Sequence, residues 1–298
     1  MEKIRIDNLF DLEQTIAKDI FKGCEYPWEV LPKIKDFIIE LGKTLDKEKF
    51  EEVKPNVWIA KNAEVAETAY INAPCIIDEG ATIRHCAYVR GNAIVGKDTV
   101  VGNSTELKNV ILFNNVQVPH YNYVGDSILG YKAHMGAGSI SANLKADKML
   151  VMVSFDGKKI ETNLRKFGAM IGDNVDVGCN SVLNPGTIIG RNTSIYPLSF
   201  VRGYVEKNSI YKNKNEIVEK RIWKKKKKGK KEKRKKEKRK KKKGDGENFS
   251  TCLKNFLRPL FSPLIPWNKI IHNTIYQCTN YSSHPRNRIT CYEELSNI

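Results

Sequence analysis

An aliphatic residue recurs at every sixth position over nine consecutive units: Ile59, Val65, Ile71, Ile77, Ile83, Val89, Val95, Val101 and Leu107. The position four further on is small or β-branched, as at Ala63, Ala69, Cys75, Ala81, Ala87, Ala93, Thr99 and Thr105, with Ile111 the one large exception. A strict period of six fits neither the 3.6 of a helix nor the 2 of a strand. It is the mark of a parallel β-helix built from hexapeptides. Each unit forms one flat side of a triangular coil, with its aliphatic residue inside the prism and a small residue at the corner. Eighteen residues close a coil, and each coil buries its apolar ladder only by stacking on the next.

The ladder continues through Leu112, Val118, Val124, Leu129 and Met135, but the steps 107 to 112 and 124 to 129 are five residues long. A residue lost from one side re-aims the chain locally, much as a bulge does. The two short steps bracket Pro119-His120-Tyr121-Asn122-Tyr123. From 142 to 165 the period vanishes, and VMVSF, Asp156-Gly157 and KKIET read as a projecting hairpin. The period resumes at Ile171, Val177, Leu183, Ile189, Ile195 and Val201. The β-helix is thus expected over 53–218, interrupted by the insert 142–165.

Residues 1–52 carry helical patterns: Leu9, Leu12, Ile16 and Ile20, then Trp28, Leu31, Ile34, Ile38 and Leu41 ending at Gly42. Two amphipathic helices need a surface for their apolar stripes, and covering the open end of the solenoid is the expected use, with an oligomerisation collar as the alternative.

The formal charge of +17 suggests nucleic acid until it is located. Residues Lys220 to Lys243 hold 19 Lys and Arg against 2 Glu, which accounts for all of it, so the rest of the chain is formally neutral. Low complexity in 219–247 predicts no packed core there. Such a run could tether RNA or an anionic membrane electrostatically. Its residues can equally all come from purine-only codons, with 248–298 an out-of-frame extension that is not part of the native domain. Seven scattered cysteines without a CxxC argue against a disulfide framework or a zinc finger. Without a signal-like start or a stretch of transmembrane length, the expected setting is cytoplasmic.

The run from Val101 to Asn143 contains VGNSTELK, PHYNYVGD and MGAGSISAN without gaps between them. It resembles the VGNFVExK, AGHxxYLGD and IGAGTxxxN blocks of the acetyltransferase domain of GlmU-type bifunctional proteins, glucosamine-1-phosphate acetyltransferase/N-acetylglucosamine-1-phosphate uridyltransferase. The resemblance covers about 55–205. It implies an all-β, left-handed β-helix of the trimeric LpxA-like hexapeptide class, with active sites shared between subunits. It implies acetyl-CoA as co-substrate and an amino-sugar phosphate, such as glucosamine 1-phosphate, as acceptor. Residue by residue, His120 matches the catalytic base, Arg90 and Lys108 the grip on the sugar phosphate, and Tyr123 and Asn143 further substrate contacts. Cys179 and Pro197 fall where the family contacts acyl-CoA.

Residue chemistry agrees. Arg90 and Lys108 are one coil apart, so they stack about 5 Å from each other. Two stacked cations repel unless an anion lies between them, and a phosphate would serve. A histidine, with a pKa near ~6.5, suits removal of an amine proton. Glu106 or Asp126 could orient it, and a backbone N–H around Gly136 to Gly138 could hold the oxyanion. The chain departs from the family at His134, and NYDG becomes Asn143-Leu144-Lys145-Ala146. A family lysine has only Lys158 or Lys159 as a replacement. No glycine-rich nucleotide loop opens the chain, so no uridyltransferase activity is expected. Two rival readings use the same fold. One is a zinc site of γ-carbonic-anhydrase type from His85, His120 and His134, whose spacings do not fit that pattern. The other is a non-catalytic binding or scaffold module.

Overall fold

A computed structural model describes residues 1–220; the Lys-rich run and the tail after it, to which the nucleic-acid expectation belongs, lie outside the described residues. From Val57 to Tyr211 the chain is a parallel solenoid of the left-handed hexapeptide type. Successive coils pair eighteen residues apart, as in Cys75 with Ala93 and Thr82 with Val100. The first wall of the prism holds Cys75–Ile77 and Ala93–Val95, the second Thr82–Ile83 and Val100–Asn103, the third Tyr70–Ile71 and Tyr88–Val89. The sixth-position aliphatics point inward, and Ile77, Ile83, Val89, Val95, Val101 and Leu107 are fully buried. Cys75 joins them as apolar filler, its thiol pushed up to about 12 by burial.

The two short steps have a clear consequence. Glu106–Leu112 and Tyr123–Leu129 run from the third wall into the first without a break. They pair seventeen residues apart, as in Glu106 with Tyr123. The shortened corner leaves Asn109 and Asp126 in left-handed backbone, at φ +56° and +45°. The insert adds 24 residues to one coil, so that His134 pairs with Asp176 across 42 positions. It carries an antiparallel hairpin, Met152–Phe155 with Lys158–Glu161. Phe155 packs edge-on to Tyr204 with ring centroids 5.1 Å apart, which seats the hairpin three rungs beyond Ser127–Leu129.

The N-terminal residues differ from the two expected helices and from the expected use. Where one helix is expected over Leu9 to Ile20, the chain makes Ile6–Leu9 and three-residue to four-residue 3₁₀ turns. Asp11 accepts from the Glu13 N–H at 3.2 Å and Thr15 is extended, which breaks the helix between them. The second pattern gives a 3₁₀ run, Pro27–Lys33, then the helix Ile34–Thr44. Neither piece plugs the open end, where Val65 is still 37% exposed. Instead the segment lies lengthwise along the outer face of the first wall. The Leu9 carbonyl accepts from Asp173 N–H at 3.0 Å, Asn114 N–H donates to the Gln14 carbonyl at 2.9 Å, and Asn109 Nδ2 donates to the Leu31 carbonyl at 3.2 Å.

The reason is a second aliphatic ladder, facing outward. Trp58, Ile76, Ile94, Ile111, Ile128, Met170 and Ile188 are in register on successive rungs. Trp58 is almost fully buried and the others fully. Ile111, the exception to the corner pattern, is a member of this ladder. Fully burying one such side chain stabilises by roughly 1.5–3 kcal/mol, so the uncovered face would be a heavy liability. Gly42 lies inside the helix, not at its end: a Cβ there would fall 2.3 Å from the Trp58 ring. Antiparallel hairpins finish both ends of the solenoid, Phe50–Lys54 with Val57–Ala60 and Ser209–Asn213 with Glu216–Glu219.

Candidate active site

The corner between the second and third walls carries one continuous backbone ladder. The amides of Ser104, Tyr121, Gly138, Asn180 and Leu198 donate to the carbonyls of His85, Asn103, His120, Ala137 and Cys179 in turn. Each of those donors has positive φ, as a corner of this hand requires. His85, Asn103, His120, Ala137, Cys179 and Pro197 therefore stack in a column. With rungs about 4.8 Å apart, Cys179 is roughly 10 Å and Pro197 roughly 14 Å along it from His120.

His120 ends the strand Gln117–His120 with an exposed side chain. Its backbone is fixed by a residue that the sequence reading passed over. Buried Asn122 accepts from His120 N–H at 3.2 Å through Oδ1, while its Nδ2 donates to the carbonyls of Gly136 at 2.8 Å and Ser139 at 3.3 Å. The available signal was its residue type: an asparagine in the short stretch between the two five-residue steps, a side chain that readily bonds turn backbone. In the facing turn, Gly136 N–H is committed to the Val177 carbonyl and Gly138 N–H to the His120 carbonyl. Among the described residues, the Ala137 amide between them has no acceptor.

The other end of the third wall holds the two cations, a wall's width from His120 within the chain, on the order of 10 Å. They do not share a single anion. Arg90 Nη1 lies 2.8 Å from Glu106 Oε1, in a half-exposed pair. Lys108 Nζ sits 2.8 Å from both oxygens of Asp126, which is only 4% exposed. Asn109 Nδ2 donates to the same carboxylate at 3.0 Å, and Asn143 Nδ2 donates to it as well as to Tyr123 Oη, the latter at 3.1 Å. Burial, then the Asp126 charge, raises the Tyr123 phenol above its ordinary range. The chain thus supplies its own counterions to both cations. Glu106 and Asp126 are both engaged away from His120, so neither orients the imidazole here.

The remaining candidates are dispersed. His85 Nδ1 is 2.6 Å from Thr68 Oγ1, and His134 Nδ1 is 2.7 Å from Asp176 Oδ1 on the open second wall. His134 holds the Asp176 carboxyl below its usual range. Among the described residues no group of three His, Cys, Asp or Glu side chains is placed to hold a metal. Lys158 and Lys159 are exposed on the hairpin, coils away from His120. No described helix is long and apolar enough to cross a membrane.

The rungs, hand and corner define the class: a hexapeptide-repeat left-handed β-helix. Residues 71–163 match the family model described as the GMPPB C-terminal domain. The chain is 40% identical over 112 residues to the bifunctional protein GlmU of Methanococcus maripaludis (strain C7), covering 38% of this chain and 27% of that protein. It is 32% identical over 230 residues to a bifunctional sugar-1-phosphate nucleotidylyltransferase/acetyltransferase of Sulfurisphaera tokodaii, covering 69% and 57%. A solved structure of AntD, an N-acyltransferase from Bacillus cereus, is 18% identical with a TM-score of 0.28, covering 60% of this chain and 90% of that one. Over these stretches the chain is similar to GlmU-type bifunctional proteins. It spans about a quarter of the length of the GlmU relatives it matches. Among the described residues none before Phe50 is in a strand.

Proposed function

We propose that this chain is a CoA-dependent acyltransferase that moves an acetyl group from acetyl-CoA to the amine of an amino-sugar phosphate, with His120 as general base. The observation that carries it is the single corner column of His120, Ala137, Cys179 and Pro197. A pantetheine arm lying along that column past Pro197 and Cys179 brings its thioester to the rung of Ala137. The acceptor nitrogen attacks the carbonyl carbon and gives its proton to His120. The Ala137 N–H stabilises the oxyanion. Collapse of that intermediate breaks the C–S bond, and the leaving thiolate takes the proton from His120, so the amide and free CoA are the products and the base is regenerated.

Arg90 and Lys108 bind the acceptor phosphate by exchanging Glu106 and Asp126 for it, with Tyr123 and Asn143 contacting the sugar. The distance between those cations and His120 within one chain favours a homotrimer that joins the two halves across a subunit boundary. The outer third wall supports that reading. Tyr70 and Phe200 there are 63% and 65% exposed, with Tyr88 and Ile140 between them also exposed. The neutralised cations favour a second reading, a binding module without catalysis. Thiol release from acetyl-CoA with glucosamine 1-phosphate decides between the two. His120→Ala is expected to lose about 100-fold or more; no thiol release by the wild type across a panel of amino-sugar phosphates supports the module instead.

A further inference from the structure

Two groups in the corner lack a partner, and they stand on neighbouring rungs. Asn103 Oδ1 is fully buried and accepts no hydrogen bond among the described residues. The imidazole of His120 likewise makes none there, although its backbone is held at both N–H and carbonyl. Asn103 and His120 are direct partners in the parallel register, about 4.8 Å apart along the axis. Asn103 Nδ2 donates to the His85 carbonyl at 3.3 Å, on the rung below. The oxygen is the other branch of that carboxamide, turned away from His85. A buried acceptor without a donor calls for an explanation, and a base without an orienting partner calls for one too. The two carboxylates that could have oriented the ring are held by Arg90 and Lys108.

We propose that Asn103 is the positioning residue for His120: its Oδ1 accepts a hydrogen bond from one ring N–H, which fixes the tautomer and leaves the second ring nitrogen free to take the acceptor's proton. The inference rests on His120 as the base. A neutral amide in this role orients the ring without placing a negative charge against it. It also gives the asparagine of VGNSTELK a task that the acceptor contacts of that block do not.

The test uses the full chain labelled with [15N]histidine, at a pH near 8, with the His120 signals assigned by their loss in His120→Gln. One tautomer dominates in the wild type. Asn103→Ala removes the acceptor: the ring shifts move toward the mixture of free imidazole, and kcat falls about tenfold with KM for acetyl-CoA within about twofold. Asn103→Asp keeps an acceptor oxygen but loses the donor to the His85 carbonyl, and keeps the single tautomer. If the Ala and Asp variants give the same ring shifts, or if Asn103→Ala leaves them at wild-type values, the proposal is wrong. Full thiol release by His120→Gln would overturn the general-base reading alone, because the ring signals still decide the hydrogen bond.

Discussion

The first and third walls of the prism share one inner ladder and differ outside. The first wall presents Trp58, Ile76, Ile94, Ile111, Ile128, Met170 and Ile188 to the N-terminal segment, which seals them from water. The third wall presents Tyr70, Tyr88, Glu106, Tyr123, Ile140 and Phe200, among them aromatic residues on exposed rungs and one carboxylate. The same repeat thus makes one face that the chain covers and one that it leaves exposed. What separates them is the alternate residue of each strand, which the inner ladder leaves free to vary.

A charge placed under the covered face should give the largest effect. Ile94→Asp puts an unpaired carboxylate under the N-terminal cover and is expected to cost about 4 kcal/mol or more, enough to unfold the chain or nearly so. Phe200→Asp, on the third wall, should leave urea stability within about 0.5 kcal/mol for the isolated chain. If the third wall is the trimer contact, it should instead shift the mass seen by light scattering. The next contrast lies between the two cations. Lys108→Met strands the buried Asp126 and should cost about 3 kcal/mol in urea melts, whereas Arg90→Met, from a half-exposed pair, should cost less than about 1 kcal/mol. Equal losses would show that the Asp126 carboxylate does not depend on Lys108.

Gly42→Ala sharpens the account of the covered face. The added methyl meets the Trp58 ring, so the variant should lose about 1–3 kcal/mol despite alanine's better helix propensity. A gain in stability would mean that the helix can ride outward freely. The smallest effect belongs to the exposed pair of the second wall. His134 depresses the Asp176 pKa, so the stabilisation is present above the unfolded carboxyl value near ~3.9 and is lost as pH falls through the lower folded one. His134→Ala should therefore flatten the stability loss below about pH 4 by a barely measurable amount, since both groups are largely in water.

Some of this was legible in the chain and some was not. The five-residue steps at Leu112 and Leu129 were visible as numbers, but not that they would carry one strand through a corner and leave Asp126 in left-handed backbone beneath Lys108. The outer ladder was also there to read. Ile76, Ile94 and Ile111 each precede an inner aliphatic, and Ile111 stood out only as an anomaly because the inner period drew the attention. The first N-terminal helix does not form, because the side chains of Asp11 and Thr15, inside its apolar spacing, compete with the helix for backbone N–H groups. The stacking of Arg90 over Lys108 followed from the period, yet the anion beside each came from the chain itself.

The sequence alone determined the prism: a strict six-residue period is a local property, and stacking identical units repeats each local choice without reference to anything distant. Only the tertiary structure decided what lies against the prism's outer faces and which charges meet. Those outcomes depend on pairs such as Asn109 with Leu31 and Asp11 with Asp173, 78 and 162 positions apart, and no period records them. Burial then sets their worth, since the same lysine or arginine is nearly free in water and strongly bound beside a carboxylate that has lost it.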